Sequence, residues 1–79
     1  MANTLYHQLS SGEWMNISCP GGPRYYAVKF NDSDQQFYPA FSYDENSWDY
    51  VGLGVATAAI AQAQLNTFVG NINSGNVGP

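Results

Sequence analysis

The chain has 79 residues, a formal net charge of −4 and only 10% charged residues, against roughly 25% in an ordinary soluble domain. This is the length of one small domain, with 44% hydrophobic residues to build its core. Two basic residues, Arg24 and Lys29, are too few for a phosphate footprint, which argues against direct nucleic-acid binding, and a single cysteine, Cys19, excludes an internal disulfide.

In chain order, Thr4 to Leu9 and Trp14 to Cys19 read as two short strands joined by Ser10-Ser11-Gly12-Glu13, a turn with a glycine for positive φ. Met15, Ile17 and Cys19 alternate with Trp14, Asn16 and Ser18 at the strand period of two. Pro20-Gly21-Gly22-Pro23 interrupts the ladder because proline has no N–H to donate. Arg24 to Asn31 is the next strand, with Tyr26, Val28 and Phe30 on one face and Tyr25, Ala27 and Lys29 on the other. Asn31 to Asp34 is a turn, and Gln36 to Tyr43 a strand in which Pro39 demands an edge or a bulge. After the loop Asp44 to Ser47, Trp48 to Val51 adds a last short strand.

From Val55 to Val69 the period becomes helical: Ala58, Ala61, Leu65, Phe68 and Val69 form one stripe that Ile72 extends. Gly54 or Thr57 begins this helix and Gly70 ends it. The expected fold is α+β, an antiparallel meander of three to four strands with one helix on a face. Residues 1–70 form the domain, and 71–79, rich in Asn and Gly, read as a disordered tail.

Catalytic and metal chemistry find little support. Zinc needs three or four Cys or His ligands, whereas His7 and Cys19 stand alone. The acidic stretches at Asp32–Asp34 and Asp44–Asp49 lack the glycine and distal glutamate of a calcium loop. His7 has no acidic neighbour to orient it as a base, and Cys19 has no basic residue before Arg24 to lower its pKa. The expectation is a protein that is not an enzyme and needs no cofactor or metal. Without a basic, then apolar, leader or an apolar run of about 18 residues, a cytoplasmic location and no membrane partner are expected.

Surface is what remains. All eight charges lie between Glu13 and Asp49, and eleven of twelve aromatics between Tyr6 and Tyr50. Tyr and Trp favour interfaces because they give area and a polar handle at low entropy cost. Phe37, Tyr38, Pro39, Tyr43, Trp48 and Tyr50, with Asp32, Asp34, Asp44, Glu45 and Asp49 in the adjoining loops, are the candidate partner-binding residues. The helix carries no charge, so Gln62, Gln64, Asn66 and Thr67 form its polar face, open either to solvent or to a partner.

Tyr26-Ala27-Val28-Lys29-Phe30-Asn31, then Gln35, Phe37-Tyr38-Pro39 and Trp48, follow a spacing that resembles the MbtH-like proteins, accessory proteins of nonribosomal peptide synthetases. The resemblance spans Tyr25 to Phe68. Ser33 stands where that pattern has a glutamate, and Ser47 where it has the glycine before the tryptophan. It implies that Tyr38 and Trp48 form a cleft gripping a small side chain on an adenylation domain, with no chemistry of the protein's own. A second reading is a phage-encoded inhibitor, similar in type to anti-CRISPR proteins, that binds a host defence effector through its acidic and aromatic surface. A third is a homo-oligomer built on a sheet edge or on the uncharged helix face.

Overall fold

A computed structural model describes residues 5–19 and 21–75. Five strands, β1 (His7–Gln8), β2 (Trp14–Asn16), β3 (Arg24–Asn31), β4 (Gln36–Ser42) and β5 (Asp49–Tyr50), form one antiparallel sheet in the order β1-β2-β3-β4-β5. One helix, α1 (Ala58–Asn73), crosses a face. The class is the expected α+β; the sheet has five strands, against the three to four expected, because the N-terminal hairpin joins it.

β3 and β4 form the long central hairpin, with Tyr26 opposite Phe41, Val28 opposite Pro39 and Phe30 opposite Phe37. Directly opposed residues share a face, so these pairs, with Trp14 opposite Tyr26, line the side under the helix. The core there joins Tyr6 and Tyr26 to Leu65, Val69 and Ile72, flanked by Trp14, Val28, Phe41 and Phe68. Tyr26 is its hub, with ring centroids 5.3 Å from Tyr6, 5.0 Å from Phe41 and 5.4 Å from Phe68. Of the expected helical stripe, Ala61, Leu65, Val69 and Ile72 are buried, Phe68 is half-buried and Ala58 is exposed.

Pro39 lies in the middle of β4 and is buried. Its missing donor costs nothing because the neighbouring chain bulges past it. Val51 N–H donates to the Pro39 carbonyl at 2.9 Å, and pairing resumes only where Phe37 and Val55 exchange backbone bonds at 2.8 and 2.9 Å. The expected bulge is therefore in the partner, between β5 and Val55.

Thr57 caps α1, its Oγ1 accepting from Ile60 N–H at 3.2 Å. Gly70 does not end the helix. α1 continues through Asn73, is capped by Ser74 and leaves through Gly75 at φ 86°. The extra turn holds because Ile72 is buried and Asn73 clasps β1's approach: its Oδ1 accepts from Tyr6 N–H at 2.9 Å and its Nδ2 donates to Tyr6 C=O at 3.1 Å. Residues 71–73 thus belong to the domain, which corrects the expected tail; residues 76–79 lie outside the described residues.

The helix's polar face is likewise put to structural use. Asn66 Oδ1 accepts from Gln8 Nε2 at 3.1 Å, Trp14 Nε1 at 2.9 Å and Gln62 Nε2 at 2.9 Å, and Gln62 also donates to the Gly12 carbonyl at 3.0 Å. Gly12, at φ 98°, is packed so closely that a Cβ would stand 2.8 Å from Gln62 Oε1. These bonds tie the short β1–β2 hairpin to the helix. A two-strand hairpin is marginal alone.

Candidate functional surface

Strand alternation places Tyr25, Ala27 and Lys29 of β3, with Tyr38, Ala40 and Ser42 of β4, on the face turned away from the helix. Tyr50 pairs with Ala40 and joins that face. The Tyr38 and Tyr50 rings stack in parallel, 4.1 Å apart at an interplanar angle of 7°. Gly54 approaches the back of Tyr38 so tightly that a Cβ there would lie 2.7 Å from Tyr38 Cζ. The Tyr38 hydroxyl donates to Asp34 Oδ2, and that hydrogen bond to a carboxylate holds its pKa above the ordinary phenol value. Further along, Lys29 Nζ stands 4.3 Å from the centroid of the Trp48 ring, a cation–π contact. The face therefore presents an aromatic pair and an aromatic–cation pair, with Tyr50 44% exposed and Trp48 half-buried.

Glu13 flanks this array. It follows from extending the β2–β3 register by one residue past Trp14–Tyr26, which sets Glu13 beside Ala27. Burial, a hydrogen bond to the Glu45 carboxyl and the charge of Glu45 together raise its carboxyl from 4.5 to about 7, with Lys29 partly offsetting them. Glu13 Oε2 is buried and accepts no hydrogen bond from the described residues, the position of an oxygen that gains a partner by carrying a proton to Glu45. A carboxyl raised in the folded state favours folding at low pH. The penalty is absent below 4.5, grows as pH rises from 4.5 to about 7 and is constant above it. Solvent screening at this half-buried site limits the effect to about 1 kcal/mol. Glu13→Gln should therefore raise the urea midpoint at alkaline pH and leave it unchanged near pH 4; equal shifts at both would contradict the assignment.

The acidic candidates divide between two turns. Asp32 and Asp34 lie in the turn before β4, and Asp44 and Glu45 in the turn after it. β4 separates the turns by about 20 Å at roughly 3.3 Å per residue. All four are exposed, as is Asp49 at the start of β5. Two of them already serve their own turns. Asp34 Oδ1 accepts from Gln36 N–H at 3.1 Å. Asp44 Oδ1 accepts from Asn46 and Ser47 N–H at 2.9 and 3.0 Å and from the Ser42 hydroxyl at 3.0 Å, bonds that hold its pKa below the usual value. Among the described residues no three His, Cys, Asp or Glu side chains are placed to hold a metal ion.

Among the aromatic candidates, Tyr38, Trp48 and Tyr50 come together on the far face. Phe37 and Pro39 do not: alternation turns both to the helix side, where Pro39 is buried and Phe37 lies 4.9 Å from Phe30. Tyr43 is 65% exposed at the sheet's end, edge-on to Phe41, with the Arg24 guanidinium 5.9 Å from its ring. Lys29 and Glu13 were absent from the expected set. Lys29 was legible in the alternation Tyr25, Ala27, Lys29, whereas Glu13 reaches the site only because the N-terminal hairpin joins the sheet. No helix among the described residues is long and apolar enough to cross a membrane. No protein-family model, curated protein or solved structure matches the chain.

Proposed function

We propose that the chain is a non-catalytic binding module that docks a larger protein on the sheet face away from the helix and modulates it. The observation that carries this reading is the stacked, solvent-facing Tyr38–Tyr50 pair beside Trp48 and Lys29. Aromatic groups at a surface cost little entropy to immobilise and gain much when covered, which is why they dominate binding energies. The face also carries one cation beside a carboxyl pair, so a complementary partner surface would be apolar with a few polar groups rather than strongly charged.

The narrower form, suggested by the MbtH-like resemblance, is an accessory of an adenylation domain. In that case a small side chain would have to enter between Tyr38 and Trp48, displacing Lys29 from the Trp48 ring. The inhibitor reading draws on Asp32, Asp34, Asp44, Glu45 and Asp49. It is less favoured, because Asp34 and Asp44 are engaged in their own turns and the turns stand at opposite ends of β4. Salt distinguishes the two. Docking by aromatics should hold nearly constant affinity as ionic strength rises, whereas mimicry of a phosphate chain should weaken steeply.

The experiment is affinity capture with the wild-type chain and with Tyr38→Ala and Trp48→Ala, followed by titration of the recovered protein in purified form. Each variant should keep the wild-type far-ultraviolet spectrum and lose about 2 kcal/mol of binding, a thirtyfold rise in Kd. Folded variants that bind as tightly as wild type would overturn the proposal.

A further inference from the structure

Three side chains from separate parts of the sheet surround Lys29. Tyr38 of β4 is directly opposite, and Glu13, beside Ala27, is its diagonal neighbour on the β2 side. Diagonal neighbours stand about 7–8 Å apart, within reach of long side chains. Trp48, in the chain leading into β5, takes the ammonium 4.3 Å from its ring centroid. Glu13 and Lys29 also line one groove of about 610 Å³, so the ammonium has open space between ring and carboxyl. Glu45, at φ 63° in the turn after β4, bonds to the Glu13 carboxyl. The path between those two crosses β3 and β4, where Ala27 and Ala40 present only methyl groups. Both alanines are buried although they face away from the helix.

Two attractions therefore compete for one ammonium. The pull of the Trp48 ring comes from its quadrupole and does not change with pH. The pull of the carboxyl pair does. While Glu13 holds a proton, the pair carries one negative charge; once the proton leaves, at about 7, it carries two. The buried Glu13 Oε2 has no donor among the described residues, and Lys29 is the cation in reach to supply one. The other groups around this point leave that balance alone. The Tyr38 hydroxyl is bonded to Asp34, and Asp44 accepts from its own turn. Asp49 pairs with Phe41 and so lies on the opposite face. The helix brings uncharged Gln62, and β1 sets Leu9 against Glu13, with His7 further along beside Met15.

We infer that Lys29 is a proton-controlled gate on the aromatic docking face: with a proton on Glu13 its ammonium covers the Trp48 ring, and without that proton it pairs with the Glu13 and Glu45 carboxylates and leaves the ring open to the partner. The gate rests on the docking face proposed above for its consequence, whereas the movement of Lys29 needs no partner. Linkage fixes the sign: an ammonium that favours ionised Glu13 is itself drawn towards Glu13 by the ionisation.

The test follows the Lys29 side-chain methylene protons by NMR in the isolated chain, from mildly acidic to mildly alkaline pH. Held over an indole ring they resonate upfield. They should move to the ordinary lysine position as pH rises, with the same midpoint, near 7, as the Glu13 carboxyl carbon. Glu13→Gln should keep them upfield throughout, and His7→Gln should leave the transition in place. If Glu13→Gln does not fold, Glu45→Gln gives a second reading: the Lys29 and Glu13 transitions should move together to lower pH, because the carboxyl has lost its acidic neighbour. With the captured partner, wild type should bind about threefold more tightly at alkaline than at acidic pH, the share of an exposed cation–π contact, and Glu13→Gln equally at both. Methylene signals that stay upfield at alkaline pH, that move identically in Glu13→Gln, or that move with no change in partner Kd would each overturn the gate. Unweakened binding by Tyr38→Ala would instead overturn the docking face and leave the movement of Lys29 standing.

Discussion

Leu65→Ala should abolish the cooperative fold at room temperature. Leu65 is fully buried at the centre of α1 and joins Tyr6, Tyr26, Val69 and Ile72 in the core. Truncating a buried leucine removes its transfer free energy and leaves a cavity, together about 2–5 kcal/mol. A single core of this size rarely supplies more than about 3–5 kcal/mol in all. The expected result is a chain whose near-ultraviolet aromatic signal is lost and whose urea transition is broad or absent. Leu53→Ala is the control: Leu53 is 85% exposed, and its removal should change stability by less than about 0.5 kcal/mol. A Leu65→Ala protein with a sharp, wild-type-like transition would mean that the helix does not supply the core.

The second large effect is expected at Asn73. Its amide satisfies both backbone groups of Tyr6, the residue that leads into β1, across 67 positions of sequence. Asn73→Ala leaves a partly buried donor and acceptor without partners, at about 1–3 kcal/mol. The loss should be local as well as global. Hydrogen exchange at Tyr6 and along β1 should rise first, because β1 is only two residues long and depends on such ties. Asn71→Ala, at an exposed position two residues away, should leave both the urea midpoint and the β1 exchange rates near wild type. If Asn73→Ala matches Asn71→Ala, the helix end is not what secures the N-terminal hairpin.

β3 was legible from Arg24 to Asn31 because Tyr26, Val28 and Phe30 alternate with Tyr25, Ala27 and Lys29, and one face is buried under a helix while the other is not. Thr57 was one of two candidate caps, and geometry selects it. The continuous five-stranded sheet was not legible. The short β1 and β2 strands owe their place to Asn66, Gln62 and Asn73 on the helix, and long-range side-chain bonds leave no periodic signal. The same bonds put part of the charge-free polar face to use: three donors converge on Asn66. Gly70 was a reasonable stop by composition, and was overridden by the burial of Ile72 two residues on.

For the surface, closeness along the chain was a poor guide to closeness in space. Phe37, Tyr38 and Pro39 are neighbours in sequence, yet the strand period sends Tyr38 to one face and the other two to the opposite face. Four of the six acidic residues likewise fall in two turns at either end of β4. Each is knit by its own aspartate, while Asp34 also accepts from the Tyr38 hydroxyl and Glu45 reaches back to Glu13.

The central claim is that the aromatic face, not the acidic turns, makes the functional contact. The measurement that tests it most directly is the Kd of the captured, purified partner for wild type, Tyr38→Ala and the double variant Asp32→Asn/Asp44→Asn, each at low and high salt. Tyr38→Ala should weaken binding about thirtyfold at both salts, and the double variant by no more than a few-fold. Tight binding by Tyr38→Ala, with loss in the double variant that high salt reproduces in wild type, would contradict it.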